Sequence, residues 1–150
     1  MNFDRMEAIV SGKLGLDEAR TVVEAVLAAA VQRGLRFAAA VVDSGGELVY
    51  FARMDGASPL NARMAINKAY TATKWRQNTK AIKDRLFDMG LGDDRRDIVW
   101  FGDSRYTAVW GGILLVDADG NVLGAVGESG GTPAQDEELG QIGAEAFAAL

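Results

Sequence analysis

Two nine-residue stretches of this chain, Val42 to Tyr50 (VDSGGELVY) and Val116 to Gly124 (VDADGNVLG), follow one pattern. Each has an apolar run, an Asp, a Gly three residues later and a second apolar run. Asp and Gly between two such runs set the turn of a β-hairpin. The pattern predicts strands over 37–43 and 47–53, joined by Ser44-Gly45-Gly46, and over 108–116 and 121–128. Asp43 and Asp117 are expected to hold their turns through side-chain to backbone hydrogen bonds. Asp117-x-Asp119-Gly120-Asn121 has some likeness to a calcium loop but lacks the spacing to a terminal Glu, and a hairpin turn explains it better.

Helices separate the hairpins. Asp17 is a plausible N-cap for a helix over about 17–33, in which Val22, Val23, Val26, Leu27, Ala30 and Val31 share one face and Gly34 supplies the stop. Pro59 opens a helix from Ser58 to about Trp75. Its face of Ala62, Ala65, Ile66, Ala69 and Ala72/Thr73 is narrow enough for close approach to a sheet. A short helix is expected from Thr79 to Met89, closed by Gly90 and Gly92, then an irregular loop over 93–107. Thr132-Pro133 opens a last helix with Leu139, Ile142, Gly143, Ala146, Phe147 and Leu150 on one face and Asp136, Glu137 and Glu138 early, where the helix dipole favours acids. The order α-ββ-α-α-ββ-α, with strands arriving as hairpins, argues for an antiparallel α+β sheet flanked by helices, not a doubly wound parallel one.

With 150 residues, 49% of them hydrophobic, one domain spanning 1–150 is expected. The chain has no Cys and no His. That excludes disulfides, thiolate or imidazole metal sites, a cysteine nucleophile and a His-based triad, and no metal site is expected. Its 16 basic and 21 acidic residues give a net charge of −5, which disfavours nucleic acid as a partner. No apolar run approaches the about 18 residues of a membrane span, and the first residues lack the order of a signal peptide, so a cytoplasmic location with no membrane partner is the expectation.

The chain resembles the GlcG/HbpS family, also called haem-degrading domain, which includes the C-terminal domain of PduO-type proteins. The likeness rests on Ala39-Ala40-Val41-Val42-Asp43-x-x-Gly46, Phe51-x-Arg53-Met54-Asp55-Gly56-Ala57, Lys68-Ala69-x-Thr71-Ala72, Gly111-Gly112-Ile113, Gly120, Gly124-Ala125-Val126-Gly127-x-Ser129-Gly130 and Asp136. The resemblance implies a profilin-like α+β fold, assembly as dimers or larger rings, and binding of haem or related small ligands. Two positions depart from it. Leu114 stands where the family commonly has Pro, and Glu128 where it commonly has an aliphatic residue. A carboxylate at an apolar strand end is costly unless it is paired, exposed or functional.

Candidate site residues cluster at the hairpin exits. Gly127 to Pro133 runs from a strand into a helix start, where backbone N–H groups of Ser129, Gly130 and Gly131 favour an anion; the plain alternative is a turn capped by Thr132. Arg53 has the fork to hold a carboxylate, with Asp55 and Gly56 shaping its turn, or it forms a surface ion pair. Lys68 is either a buried, activated amine or, as helical lysines more often are, solvated or paired. Glu128 is the best general acid/base in a chain without His, its alternative being exposure or pairing with Arg53 or Arg105. Asp136 either bonds the Gly-rich turn as part of the ligand site or simply favours its helix start. Trp100, Phe101, Tyr106 and Trp110 have the character to line a ligand wall, but an interface or core is the preferred reading.

Three functions follow. The preferred one is an oligomeric binder of an organic anion or tetrapyrrole near the Gly-rich turn; without His or Cys, haem iron would need Tyr, Met, Lys or a hydroxyl. The second is a metal-free, cofactor-independent isomerase, hydratase or lyase on a carbonyl or carboxylate substrate, with Glu128, Arg53 and Lys68 as its catalytic candidates. The third is a structural oligomer without chemistry.

Overall fold

A computed structural model of the chain describes residues 14–91 and 98–150. Helix α1 (Leu16–Gln32) is followed by strands β1 (Ala38–Asp43) and β2 (Leu48–Arg53). Helices α2 (Pro59–Trp75) and α3 (Thr79–Leu86) come next. Strands β3 (Ile113–Val116) and β4 (Val122–Ser129) then lead into helix α4 (Pro133–Ala148). The strands form one antiparallel sheet in the order β2-β1-β4-β3. The architecture is α+β, as the hairpin pattern predicts.

The repeated turn is reproduced in three dimensions. Asp43 Oδ1 accepts from the N–H groups of Gly45 and Glu47 at 2.9 and 3.0 Å, and Asp117 Oδ1 accepts from those of Asp119 and Asn121, both at 2.9 Å. Gly46 and Gly120 occupy the left-handed region, with φ of 88° and 81°. Each hairpin carries a register shift one residue before its Asp, at Val41/Val42 and Leu115/Val116. Replacing Asp43 with Ala removes two hydrogen bonds and is expected to cost about 1–2 kcal/mol, read from the midpoint of urea unfolding.

The two faces of the sheet differ in depth. On one, Ala39, Val41, Ile113, Leu115 and Val126 pack against Val22, Val23 and Val26 of α1 and Leu139 and Phe147 of α4. On the other, Ala38, Ala40, Val42 and Ala125 meet Ala65, Ala69 and Ala72 of α2. The small residues let α2 lie against the backbone: a Cβ on Gly127 would stand 2.2 Å from the Ala65 carbonyl oxygen. This close approach brings the next turn of α2, and Lys68 with it, beside the end of β4.

Several expected boundaries shift. Asp17 lies in the first turn of α1, because Gly15 is the cap and its carbonyl accepts the first helical N–H, from Ala19. At the other end Gly34 (φ 66°) allows Leu35 N–H to return to Ala30 O, the stop expected there. Helix α3 is regular only to Leu86; its last turn widens over Phe87–Leu91 and ends on Gly90 with φ 79°. The strand expected from Ala108 begins only at Ile113. Gly111 (φ 121°) turns the chain, and Gly112 exchanges bonds with Thr79 at the start of α3: its N–H reaches Thr79 Oγ1 at 2.9 Å and its carbonyl accepts from Thr79 N–H at 2.9 Å. Of the irregular loop expected over 93–107, Ile98–Phe101 is a 3-10 turn. The rest of that reading over 93–97, the stop at Gly92 and the side chain of Trp100 lie outside the described residues.

Candidate functional site

Strand β3 pairs with β4 only as far as Val126, so the last residues of β4 run on past it. In that space the Lys68 side chain crosses from α2. Its Nζ donates to the backbone carbonyl of Glu128 at 2.8 Å and to Asp136 Oδ2 at 2.5 Å. Asp136 Oδ1 in turn accepts from Gly131 N–H at 2.9 Å, tying the first turn of α4 to the strand exit. Lys68 and Asp136 form a buried ion pair, 1% and 3% exposed.

The Glu128 side chain is the third member. It is 0% exposed, and among the described residues neither carboxyl oxygen has a hydrogen-bond partner. Two glycines make room for it. A Cβ on Gly140 of α4 would lie 2.7 Å from Glu128 Oε1; one on Gly111 would lie 2.6 Å from Oε1 and 3.2 Å from Lys68 Nζ. The carboxyl and the ammonium thus flank one glycine. Burial pushes the Glu128 pKa well above the ordinary carboxylate range, opposed by the Lys68 charge and helped by those of Asp136 and Glu137. Burial also raises that of Asp136, against the Lys68 charge and hydrogen bond. The cluster joins one ammonium to two carboxyl groups, and burial favours the protonated form of Glu128, the one with no hydrogen-bond partner among the described residues.

Strand parity separates the other candidates. Ala39 pairs with Glu128, so Glu128 points to the α1/α4 face; Ala38 pairs with both Arg53 and Ser129, which point to the α2 face. Arg53 is exposed at the edge strand and Asp55 is exposed in the turn beyond it, so neither joins the cluster. Glu128 therefore pairs with neither Arg53 nor Arg105; Arg105 is bound to Asp103. Ser129 Oγ lies 3.3 Å from Asn61 Oδ1 on α2.

The start of α4 uses most of its own donors. Thr132 Oγ1 accepts from Gln135 N–H, Gln135 Oε1 accepts from Thr132 N–H, and Pro133 has none to give. Gly131 N–H is likewise taken, by Asp136 Oδ1. Asp136 both bonds the Gly-rich turn and stands in the first turn of α4. Gly111 enters the sequence pattern only through the family likeness, and Gly140 has no part in it. A glycine inside a helix costs about 1 kcal/mol against Ala, and so Gly140 signals close packing.

The aromatic residues lie apart from the cluster. Tyr70 stacks on Tyr106, Trp75 meets Phe101 and Tyr106 edge-on, and the Arg105 guanidinium lies 4.0 Å over Tyr70. Tyr70 OH donates to Asp103 Oδ2 at 2.5 Å; burial and that bond push its pKa up to about 12. Lys80 Nζ stands 5.1 Å over Trp110.

A family model described as "Haem degrading protein HbpS-like" matches residues 14–145. A 15.0 kDa protein from the dhaT-dhaS intergenic region of Citrobacter freundii is 34% identical over 141 residues, 90% of this chain and 92% of the relative. Protein GlcG of Escherichia coli K12 is 32% identical over 90 residues, 60% of this chain and 61% of its own. Among solved structures, Klebsiella pneumoniae protein ORFY superposes with a TM-score of 0.81 at 31% identity, covering 91% of this chain and 92% of that one. The PduOC:haem complex superposes with a TM-score of 0.78, covering 89% and 94%; at 24% identity it shows the fold alone.

Proposed function

This chain belongs to the HbpS-like family, and from that premise we propose that it binds a small organic ligand through a carboxylate or carbonyl oxygen at the Lys68–Glu128–Asp136 cluster. The observation that carries the reading is the Glu128 carboxyl, wholly buried with neither oxygen partnered among the described residues. Burying such a group without a partner costs about 1–3 kcal/mol in proteins, and such a cost is characteristic of functional sites. A neutral acid beside an ammonium offers two donors to one ligand oxygen. The working form we propose is a cytoplasmic homo-oligomer; among the described residues no helix is long and apolar enough to cross a membrane.

The family's description points to haem as one ligand of this class. The cluster and its surroundings present none of the usual free ligands for an iron centre. There is no His or Cys, Tyr70 is held as a phenol by Asp103, Met54 Sδ accepts from Phe37 N–H, and Lys68 is bound to Asp136. A tetrapyrrole would be held by its carboxylates. Titration with hemin and with metal-free protoporphyrin IX, followed by quenching of Trp fluorescence, is expected to give saturable binding of both. The two affinities should agree within about threefold, under 1 kcal/mol, because iron adds little. Glu128→Gln should weaken both about tenfold. Absence of saturable binding for the porphyrins and for a panel of small carboxylic acids and aldehydes would overturn the proposal.

The raised Glu128 pKa favours a second reading, a cofactor-independent acid–base enzyme in which this carboxyl moves a proton beside a substrate carbonyl. Glu128→Gln keeps the shape and removes the base, so turnover that survived it would exclude this reading. Arg53 has no part in it from the opposite face of the sheet.

A further inference from the structure

The cluster holds one more acid than an ion pair needs. Lys68 is buried, with its Nζ fixed by the Glu128 carbonyl at 2.8 Å and Asp136 at 2.5 Å. The Glu128 carboxyl shares the flank of Gly111 with that Nζ, and among the described residues neither of its oxygens is partnered. Four requirements for turning an amine and a carbonyl into an imine are met by these groups. An amine must lose a proton to a base in contact with it, and Asp136 is that base. A neutral acid must protonate the departing oxygen, and Glu128 is that acid. Bulk water must be kept out, and the three side chains are buried. The cation formed must have a counterion, which Asp136 again supplies.

We propose that Lys68 captures small aldehydes covalently, as an imine formed between its Nζ and the aldehyde carbon. This rests on the reading of the cluster as the ligand site and names its substrate class. Asp136 takes a proton from the ammonium, and the freed lone pair attacks the carbonyl carbon. A C–N bond forms as the C=O π pair moves to oxygen, and Asp136 returns its proton to that oxygen. Asp136 then takes a second proton from Nζ, which frees its lone pair. Glu128 protonates the hydroxyl; the C–O bond breaks and water leaves as that lone pair closes the C=N bond. The proton on Asp136 passes to Glu128 through the departing water. Two protons have left the ammonium and two have left with the water, so Asp136 ends as a carboxylate facing an iminium and Glu128 ends neutral.

The test is reductive trapping on the full chain with propionaldehyde and cyanoborohydride, with peptide mapping of the alkylated lysines over time. Modification of Lys68 is expected to outrun that of the exposed Lys74 by about tenfold, equal to ~1.4 kcal/mol of barrier, despite its burial. Glu128→Gln should slow modification of Lys68 about tenfold and leave Lys74 unchanged, an effect a purely structural carboxyl would not have. Lys68 unmodified, or modified no faster than Lys74, overturns the proposal. If the porphyrins or small acids still bind in that case, only the covalent step falls; if nothing binds, the ligand site falls with it.

Discussion

Replacing Lys68 with Met is expected to destabilise the fold by about 3–5 kcal/mol, the usual cost of removing one partner of a buried ion pair. Met keeps the length of the side chain and its apolar stem. What it removes is the only cation of the cluster, leaving the Asp136 carboxylate buried at the start of α4 and the Glu128 carbonyl without its donor. For a domain of this size 1 kcal/mol moves Tm by about 2–4 °C, so the midpoint should fall by roughly 6–20 °C in a thermal melt. The damage comes from the stranded charge, and Asp136→Asn in the same chain should return part of the loss. A single Lys68→Met variant that melted within about 1 °C of wild type would mean that the ion pair is not formed. Arg53→Ala, at an exposed strand end, serves as the reference and should move stability by under about 0.5 kcal/mol.

The hairpins, their turns and the small-residue face of α2 are legible in the sequence because each depends on residues a few positions apart. Asp43 and Gly46 set one turn, and Ala65, Ala69 and Ala72 one face. The late start of β3 is not. Ala108-Val109-Trp110 is as apolar as a strand, and what diverts it is Thr79, whose N–H and hydroxyl bond Gly112 across more than thirty positions. The cluster is half legible: Glu128 stands out as a carboxylate in an apolar strand, while Lys68 and Asp136 read only as charged residues on the flanking helices. That a lysine from one face of the sheet passes the end of a short edge strand to reach an acid on the other has no local signature. Nor does the parity that parts Arg53 from Glu128, which appears only once β1 is known to lie between β2 and β4.

Glu128→Met is expected to act in the opposite direction to Lys68→Met and stabilise the protein by about 1–4 kcal/mol at neutral pH. The change keeps the volume under Gly140 and Gly111, leaves the backbone carbonyl that Lys68 uses, and removes a carboxyl with no partner. The pH dependence identifies the cause. Because the folded-state pKa of Glu128 lies above its unfolded value, the native state binds the more protons between the two. Its stability contribution is complete below the ordinary Glu pKa of about 4.3 and is lost as pH rises toward the folded value, at up to about 1.4 kcal/mol per pH unit. Asp136, raised as well, acts in the same sense from a lower starting point. Wild type should therefore lose stability from pH 5 to pH 8 in guanidinium titrations, while Glu128→Met should lose less and diverge from it increasingly as the pH rises. Parallel curves would place the Glu128 proton elsewhere and remove the physical basis of the site. A gain in stability joined to a loss of ligand binding is what separates a carboxyl kept for function from one kept for the fold.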